Sequence, residues 1–430
     1  MKSDKNKFLK FLKLSGVSLF IGLIIGVIIG VYLLTIKYIR ILNNLMYSSR
    51  DGWVISLLVI VVILLSLANF FLLKLTPSID GSGIPYIGLG LKNKRKIGYK
   101  KEILTTMLNS FISTLVGFTL GSEGPCVVLG ARSAKMGLDI FKVEDSDTIG
   151  IACGVGFGCA FTSPLASLCY IFESSLNKIN WSVFFRGILM SFVAICISSL
   201  ISPEHLISIS SPLIFTFKEF YIIPYLIFIN LLIGFIFNKA IYYLKFYLNR
   251  HENSPLIKYR SFMMFFAIMV LNFTCLNVMG SGSNLINTLS IYTSIGILVL
   301  ILLFRFVITV GSGVGGVTGG LVVPMMTLGS LSGYIVCLSS SSLFGLDPAY
   351  YSVIVLLSMM MVFSICTKSP LTATALCYSV LGYSSNNYLE SLKIIPIALI
   401  LFCFVSFIFK KYNQDGIYRN FMRLSLMKYN

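Results

Sequence analysis

The sequence predicts an all-α polytopic membrane protein built from two inverted-topology repeats, with broken helices meeting near the membrane midplane. Three observations carry that prediction. Hydrophobic residues make up 56 % of the 430-residue chain and charged residues 12 %, against about 25 % charged in a soluble domain. Mean hydropathy is +0.88, and apolar segments recur along nearly the whole length. Two of those segments are interrupted by Gly and Pro and resemble each other. A soluble globular enzyme and a disordered chain are both excluded by this composition.

The apolar runs fall, in order, near 14–36, 53–75, 181–201, 220–247, 261–279, 291–310 and 392–410, with broken blocks at about 103–176 and 313–383. The first run follows a basic start, is longer than a signal-peptide core and is not followed by a small-residue cleavage pattern, which predicts a retained transmembrane helix. A short amphipathic helix is expected at 416–428. All of this reads as one transmembrane domain over 1–430, with repeat halves near 14–202 and 220–410.

Lys plus Arg is 34 and Asp plus Glu is 16, a formal net charge of +18. The basic residues concentrate in runs between apolar segments, at Lys2–Lys13, Lys92–Lys101, Lys245–Arg260 and Lys410–Arg423. This is the positive-inside pattern, and it predicts cytoplasmic N- and C-termini. Nucleic acid is not an expected partner, because there is no soluble basic domain. The ten cysteines are scattered, mostly in apolar runs (Cys153, Cys159, Cys169, Cys196), and no CxxC pair occurs. A reduced, structural role follows. His205 and His251 are the only histidines, which argues against a His-based metal site or catalytic dyad, so no metal or cofactor is expected.

Within the broken blocks, Pro125-Cys-Val-Val-Leu129-Gly130 matches Pro324-Met-Met-Thr-Leu328-Gly329. Ser163-Pro164-Leu165-Ala166 matches Ser369-Pro370-Leu371-Thr372, in the same order and at nearly equal spacing. Short interrupted helices at equivalent places in two repeats are the mark of a transporter-type fold, in which half-helix ends meet and bind an ion.

Glu123 and Glu173 are the two acids in apolar surroundings. A carboxylate at membrane depth is costly unless it faces water, an ion path or a partner. Glu123 stands in Leu120-Gly121-Ser122-Glu123-Gly124-Pro125, where Pro125 suits the first turn of a helix. The helix N-terminus favours an anion, either the carboxylate or an inorganic ion. The two would compete for one place, and protonation of Glu123 would release it. A plain capping glutamate is the alternative. Gly81-Ser82-Gly83-Ile84-Pro85 offers a hydroxyl with free amides, and Gly319-Gly320-Leu321-Val322-Val323-Pro324 offers amides among apolar side chains. Each alone reads as a turn. Together they suggest an anion site built from dipoles, where a Lys or Arg would hold the ion too tightly to pass it on. Arg186 and Arg305 also lie in apolar stretches and are read as structural or rim residues snorkelling to the interface.

The motifs GSGIP, GSEGP and GGLVVP, in this order, resemble the CLC family of chloride channels and chloride/proton exchangers, whose usual signatures are GSGIP, GREGP and GxFxP. The likeness runs from about residue 15 to the C-terminus. It implies a homodimer with one chloride path per subunit. Residue by residue, it implies that Ser82 donates its hydroxyl to a central chloride and that Glu123 is the external gating and proton-binding glutamate. The amides of Ser122, Glu123, Gly124, Leu321, Val322 and Val323 would form the outer anion cradle. Tyr418, after Asp415-Gly-Ile, falls at the family's central-site tyrosine. The chain departs from the pattern at Ser122, where the family has arginine, and at Val322, where it has phenylalanine. Exchangers often carry two adjacent glutamates after the Pro-Leu-Ala of the first repeat, and here the pair is Glu173-Ser174. One residue along a helix turns a side chain by about 100°, so Glu173 is expected to face another surface than the usual internal proton acceptor and stands as a proton-path candidate. The chain ends at Asn430, soon after Tyr418, so the compact bacterial form without cytoplasmic regulatory domains is expected.

The functional expectation is chloride transport coupled to protons as antiport, with a passive channel of the same family as the alternative, in a bacterial cytoplasmic membrane. A membrane enzyme fails on inventory. His251-Glu252-Asn253-Ser254-Pro255 lacks the second His of H-E-x-x-H, and Gly280-Ser281-Gly282-Ser283 has no intramembrane His to activate a serine. A non-transporting sensor or scaffold would not need Glu123 beside three helix-breaking motifs.

Overall fold

The computed structural model describes residues 2–49, 51–92, 94–176, 180–203, 221–275, 278–384, 394–411 and 416–427. His205 and Asp415 lie outside the described residues. The chain forms α1 (Lys2–Ser48), α2 (Gly52–Leu75), α3 (Ile84–Leu91), α4 (Glu102–Val116), α5 (Glu123–Ile140), α6 (Ser146–Phe161) and α7 (Pro164–Tyr170), the last continued by a π-helical turn at Ile171–Ser175. There follow α8 (Trp181–Ile201), α9 (Ile222–Arg250), α10 (Pro255–Lys258), α11 (Arg260–Cys275), α12 (Ser283–Asn287), α13 (Ile295–Val314), α14 (Val322–Phe344), α15 (Tyr351–Thr367), α16 (Pro370–Ser384), α17 (Ile394–Lys411) and α18 (Ile417–Met427). Seven of these are long and apolar enough to cross a membrane, which takes about 20 apolar residues.

Most expected runs coincide with helices, and α8 has the expected bounds. The first differs. The 14–36 run is the apolar part of a helix that continues to Ser48. Charges at Lys37 and Arg40 end the hydropathy signal, but neither breaks a helix, and the buried stripe carries on through Tyr32, Ile36, Asn43 and Tyr47.

The broken blocks supply the interior. α6 is buried from Thr148 to Phe161, and α15 from Val353 to Cys366. Small residues bring the helices together. A Cβ on Gly130 would strike the Ala152 carbonyl, and one on Gly156 the Cys126 carbonyl, so α5 and α6 approach at backbone distance. Gly329 and Gly333 do the same for α14 against Met359 and Ser358 of α15. The two halves therefore use one packing device.

Between helices, the three glycine-rich motifs are joined through their backbones. Gly81 donates to Val317 and accepts from Gly319, both at 3.0 Å, while Gly121 and Gly320 exchange two amide hydrogen bonds at 2.8 and 2.7 Å. Irregular backbone at membrane depth must be satisfied from within the protein, and side chains complete the set. Asn69 donates to the Gly316 carbonyl, Asn109 to the Thr318 hydroxyl, Ser113 to the Thr318 carbonyl and Thr318 to the Ile79 carbonyl.

The two arginines do not snorkel. Arg305 is fully buried and donates to the carbonyls of Val278, Gly280 and Ser281 at 2.7, 2.8 and 3.0 Å. It holds the Gly280–Gly282 turn, whose Gly280 amide in turn bonds the Gly117 carbonyl. Arg186 is 2 % exposed and pairs with Asp145 at 2.6 Å. In each case a buried carbonyl set or carboxylate is a nearer partner than the interface.

Candidate functional site

Ser82 sits between Gly81 (φ +69°) and Gly83 (φ +70°). Both glycines adopt the left-handed conformation that lets the chain turn sharply into α3. The Ser82 side chain is 5 % exposed and its Cβ packs on Gly124. A Cβ at Gly124 would lie 2.8 Å from the Gly320 Cα and 3.0 Å from the Ser82 Cβ, so all three motifs converge on that glycine.

Glu123 opens α5 and is fully buried. Its Oε1 accepts the Val323 amide at 2.5 Å. Val323 lies in the first turn of α14, where amides lack intrahelical partners, so the carboxylate sits at the positive end of a second helix. Oε2 is buried with no hydrogen-bond partner among the described residues. The start of α5 thus faces the start of α14, with a carboxylate in the place an anion would take.

A cavity of about 10 Å³ continues inward, lined by Ile84, Glu123, Phe157, Val322, Phe363 and Tyr418, with Gly124 and Ser174 also on its wall. Its volume is about that of one water-sized sphere. Tyr418 lies near the start of α18, and Gly416 just before it packs on the Thr367 carbonyl at the end of α15. The Tyr418 hydroxyl is buried without a hydrogen-bond partner among the described residues, and Tyr418 and Glu123 line the same cavity.

Beyond Tyr418 a vestibule of about 570 Å³ opens, lined by Glu173, Ser174 and Tyr418 with Lys92, Lys94, Lys368, Arg419 and Arg423 among others. A second cavity of about 270 Å³ reaches Ser82 from the side of Lys245 and Arg260. Both mouths lie among the basic loops.

Of the sequence-predicted residues, Glu123, Gly124, Val322 and Tyr418 share the small cavity. Ser82 touches Gly124 from the neighbouring cavity, and the Val323 amide is taken by Glu123. Leu321 precedes α14, and the Ser122 hydroxyl is buried without a partner among the described residues. Glu173 is placed differently. Its carboxylate accepts the Leu371 amide at 3.0 Å and the Thr372 amide and hydroxyl at 2.9 and 2.8 Å, so it caps α16. It is Ser174, hydrogen-bonded to Ser369 at 2.7 Å, that reaches the inner cavity.

Sequence reasoning missed Phe157 and Phe363, whose rings lie 6.4 Å apart. The repeat contained the signal: each stands six residues before the Ser-Pro of its own half. It also missed Arg132, fully buried, which donates to the Glu102 carbonyl at 2.6 Å, the Thr106 hydroxyl, and the Ser78 hydroxyl at 2.8 Å, bracing the turn before Ser82.

The sequence model of the family described as Voltage gated chloride channel matches residues 60–401. The chain belongs to that family. Among curated relatives, the H(+)/Cl(−) exchange transporter ClcA of Vibrio parahaemolyticus serotype O3:K6 (strain RIMD 2210633) is 27 % identical over 347 residues, covering 77 % of this chain and 73 % of that protein. ClcA of Salmonella newport (strain SL254) is 27 % identical over 303 residues, covering 67 % of this chain and 63 % of the relative, a little under two thirds of its length. Among solved structures, a slow cyanobacterial Cl−/H+ antiporter superposes with a TM-score of 0.83 at 20 % identity, covering 96 % of this chain and 97 % of that one. A CLC-type fluoride/proton antiporter gives a TM-score of 0.77 at 21 % identity, covering 96 % and 98 %. These similarities give the voltage-gated chloride channel fold over nearly the whole chain.

Proposed function

We infer that this chain moves chloride across a membrane in exchange for protons. The observation that carries the reading is the Glu123 carboxylate seated on the Val323 amide at the mouth of the inner cavity. A carboxylate there excludes a second anion. Once protonated it loses the charge that binds it to the helix terminus, leaves the amides to chloride and carries a proton with it. The names of the curated relatives agree with proton-coupled exchange. Chloride meets backbone amides and the hydroxyls of Ser82 and Tyr418 along this path, dipoles that bind it weakly enough to release.

The reading extends to a homodimer with one path per subunit, lodged in a bacterial cytoplasmic membrane with the basic loops and both termini on the cytoplasmic side. Seven long apolar helices and the positive-inside pattern support the membrane placement.

A passive chloride channel is the second reading, favoured by Ser174. A hydroxyl on the cavity wall neither releases its proton nor takes up another at neutral pH, where a carboxylate would relay one. The deciding experiment is the reversal potential of purified, reconstituted protein under a proton gradient at fixed chloride. Exchange moves it away from the chloride equilibrium potential when pH is changed on one side. A value that stays at the chloride potential refutes coupling.

A further inference from the structure

The cavity that leads to Ser82 from the basic loops contains a carboxylate that the path described above does not use. Asp80 stands two residues before Ser82, on the turn joined to the third motif through Gly81. It lines the same cavity of about 270 Å³ as Ser82, together with Arg95, Lys245 and Arg260. Its carboxylate binds Lys245 of α9 at 2.9 Å and Arg260, the first residue of α11, at 3.5 Å. Among the described residues lining this cavity, Asp80 is the sole acid.

Geometry and charge give this arrangement a consequence. Two cations from different helices converge at an opening whose far wall is the anion-binding serine. Cationic rings at a pore mouth concentrate anions. Here an anionic side chain already bridges the two cations, held by a backbone that hydrogen bonds fix in place. The Asp80 and Lys245 side chains remain 30 % and 16 % exposed, so water and ions reach the pair. An arriving chloride must share or displace the carboxylate.

We propose that Asp80 is an internal competitor for chloride at the basic mouth of the path, setting the anion affinity on that face as Glu123 does at the opposite end. Ser82 is then bracketed by two carboxylates of different kinds. Glu123 sits on backbone amides in a buried place, and Asp80 sits on side-chain cations in a wet one. The weaker, solvated pair suits a mouth that admits ions continuously.

The proposal rests on the transport reading, and the experiment separates the two. Chloride flux by the full chain is measured in right-side-out and everted membrane vesicles, so that each face is titrated with chloride in turn. In Asp80→Asn, half-saturating chloride on the basic-loop face falls by about fivefold. Half-saturation on the other face and the reversal potential stay at their wild-type values. In Lys245→Gln the basic-face value rises above wild type. In the double variant, with both charges gone, it returns close to wild type. A merely structural role for Asp80 predicts loss of flux from both faces with no side-specific change in affinity, and that result overturns the proposal. An unchanged basic-face affinity in Asp80→Asn overturns it equally. If Asp80→Asn does not fold, Lys245→Gln carries the test alone, and a basic-face affinity that is unchanged or tightened refutes the competitor role. If the wild-type protein moves no anion, the transport reading falls. Chloride binding to the detergent-solubilised protein by calorimetry then decides: tighter binding by Asp80→Asn supports the competitor, and equal binding refutes it.

Discussion

The Glu123 carboxylate accepts the Val323 amide at 2.5 Å, so an acid from the first residue of α5 occupies the N-terminus of α14. Two helix ends that would each attract an anion thereby share one that belongs to the protein. Replacing it with a neutral side chain imitates the protonated gate. In Glu123→Gln and Glu123→Ala, chloride efflux from liposomes continues at or above the wild-type rate, loses its acceleration at low pH and no longer drives proton movement. A variant that keeps the pH dependence of the wild type removes Glu123 from the gate.

Ser82 tests selectivity. Its Cβ meets Gly124 where the three motifs converge, and its hydroxyl accepts the Ile84 amide at 3.3 Å, which leaves the hydroxyl proton to donate to an anion. Wild-type protein is expected to prefer chloride to fluoride. Ser82→Pro removes a hydroxyl and an amide donor, and one charge-assisted hydrogen bond is worth about 1.5–3 kcal/mol. The chloride-to-nitrate permeability ratio should therefore fall by about tenfold. An unchanged ratio shows that the hydroxyl does not choose the anion.

The fold and the meeting of the three motifs were legible because their determinants are local. A Pro in the first turn, a run of glycines or an acid in an apolar stretch each fixes backbone geometry within a few residues, and the helix start at Pro125 fell where its motif placed it. Long-range pairing was not legible. Nothing in the order Glu173-Ser174 says that the glutamate caps α16, because the partner amides at Leu371 and Thr372 are brought there by tertiary packing. The snorkelling expected of Arg186 and Arg305 failed for the same reason, while their structural role held. A hydropathy window records the apolar neighbours of a cation and not the carbonyls or carboxylate that meet it.

Glu173 and Ser174 are separable by experiment. Glu173 accepts three hydrogen bonds at the start of α16, so Glu173→Gln should cost about 1–3 kcal/mol of stability. That loss is read as a lowered thermal midpoint in detergent, with the reversal potential unaltered. Ser174→Glu places a proton acceptor on the wall that Glu123 and Tyr418 also line, and should move the reversal potential further toward the proton equilibrium potential. If instead Glu173→Gln abolishes coupling at wild-type stability, the proton passes through Glu173.

The pair that joins α6 to α8 predicts a pH dependence of stability. Asp145, in the loop before α6, accepts the Thr148 amide at 3.1 Å, the Thr148 hydroxyl at 2.6 Å and Arg186 at 2.6 Å. Burial pushes its carboxyl up, but the Thr148 and Arg186 hydrogen bonds and the Arg186 charge outweigh burial and hold it below its ordinary value. A carboxyl with a lowered folded-state pKa stabilises the fold fully above its unfolded value, about 3.9. That contribution is lost as pH falls through the lower folded value. Asp145→Asn leaves Arg186 buried without a carboxylate, which costs about 3 kcal/mol at neutral pH. Thermal unfolding in detergent should show a wide gap between wild type and variant at pH 7. The gap narrows below about pH 4 as the wild-type carboxylate takes up its proton. A gap that stays constant from pH 7 to pH 3 means the carboxylate charge is not what holds Arg186.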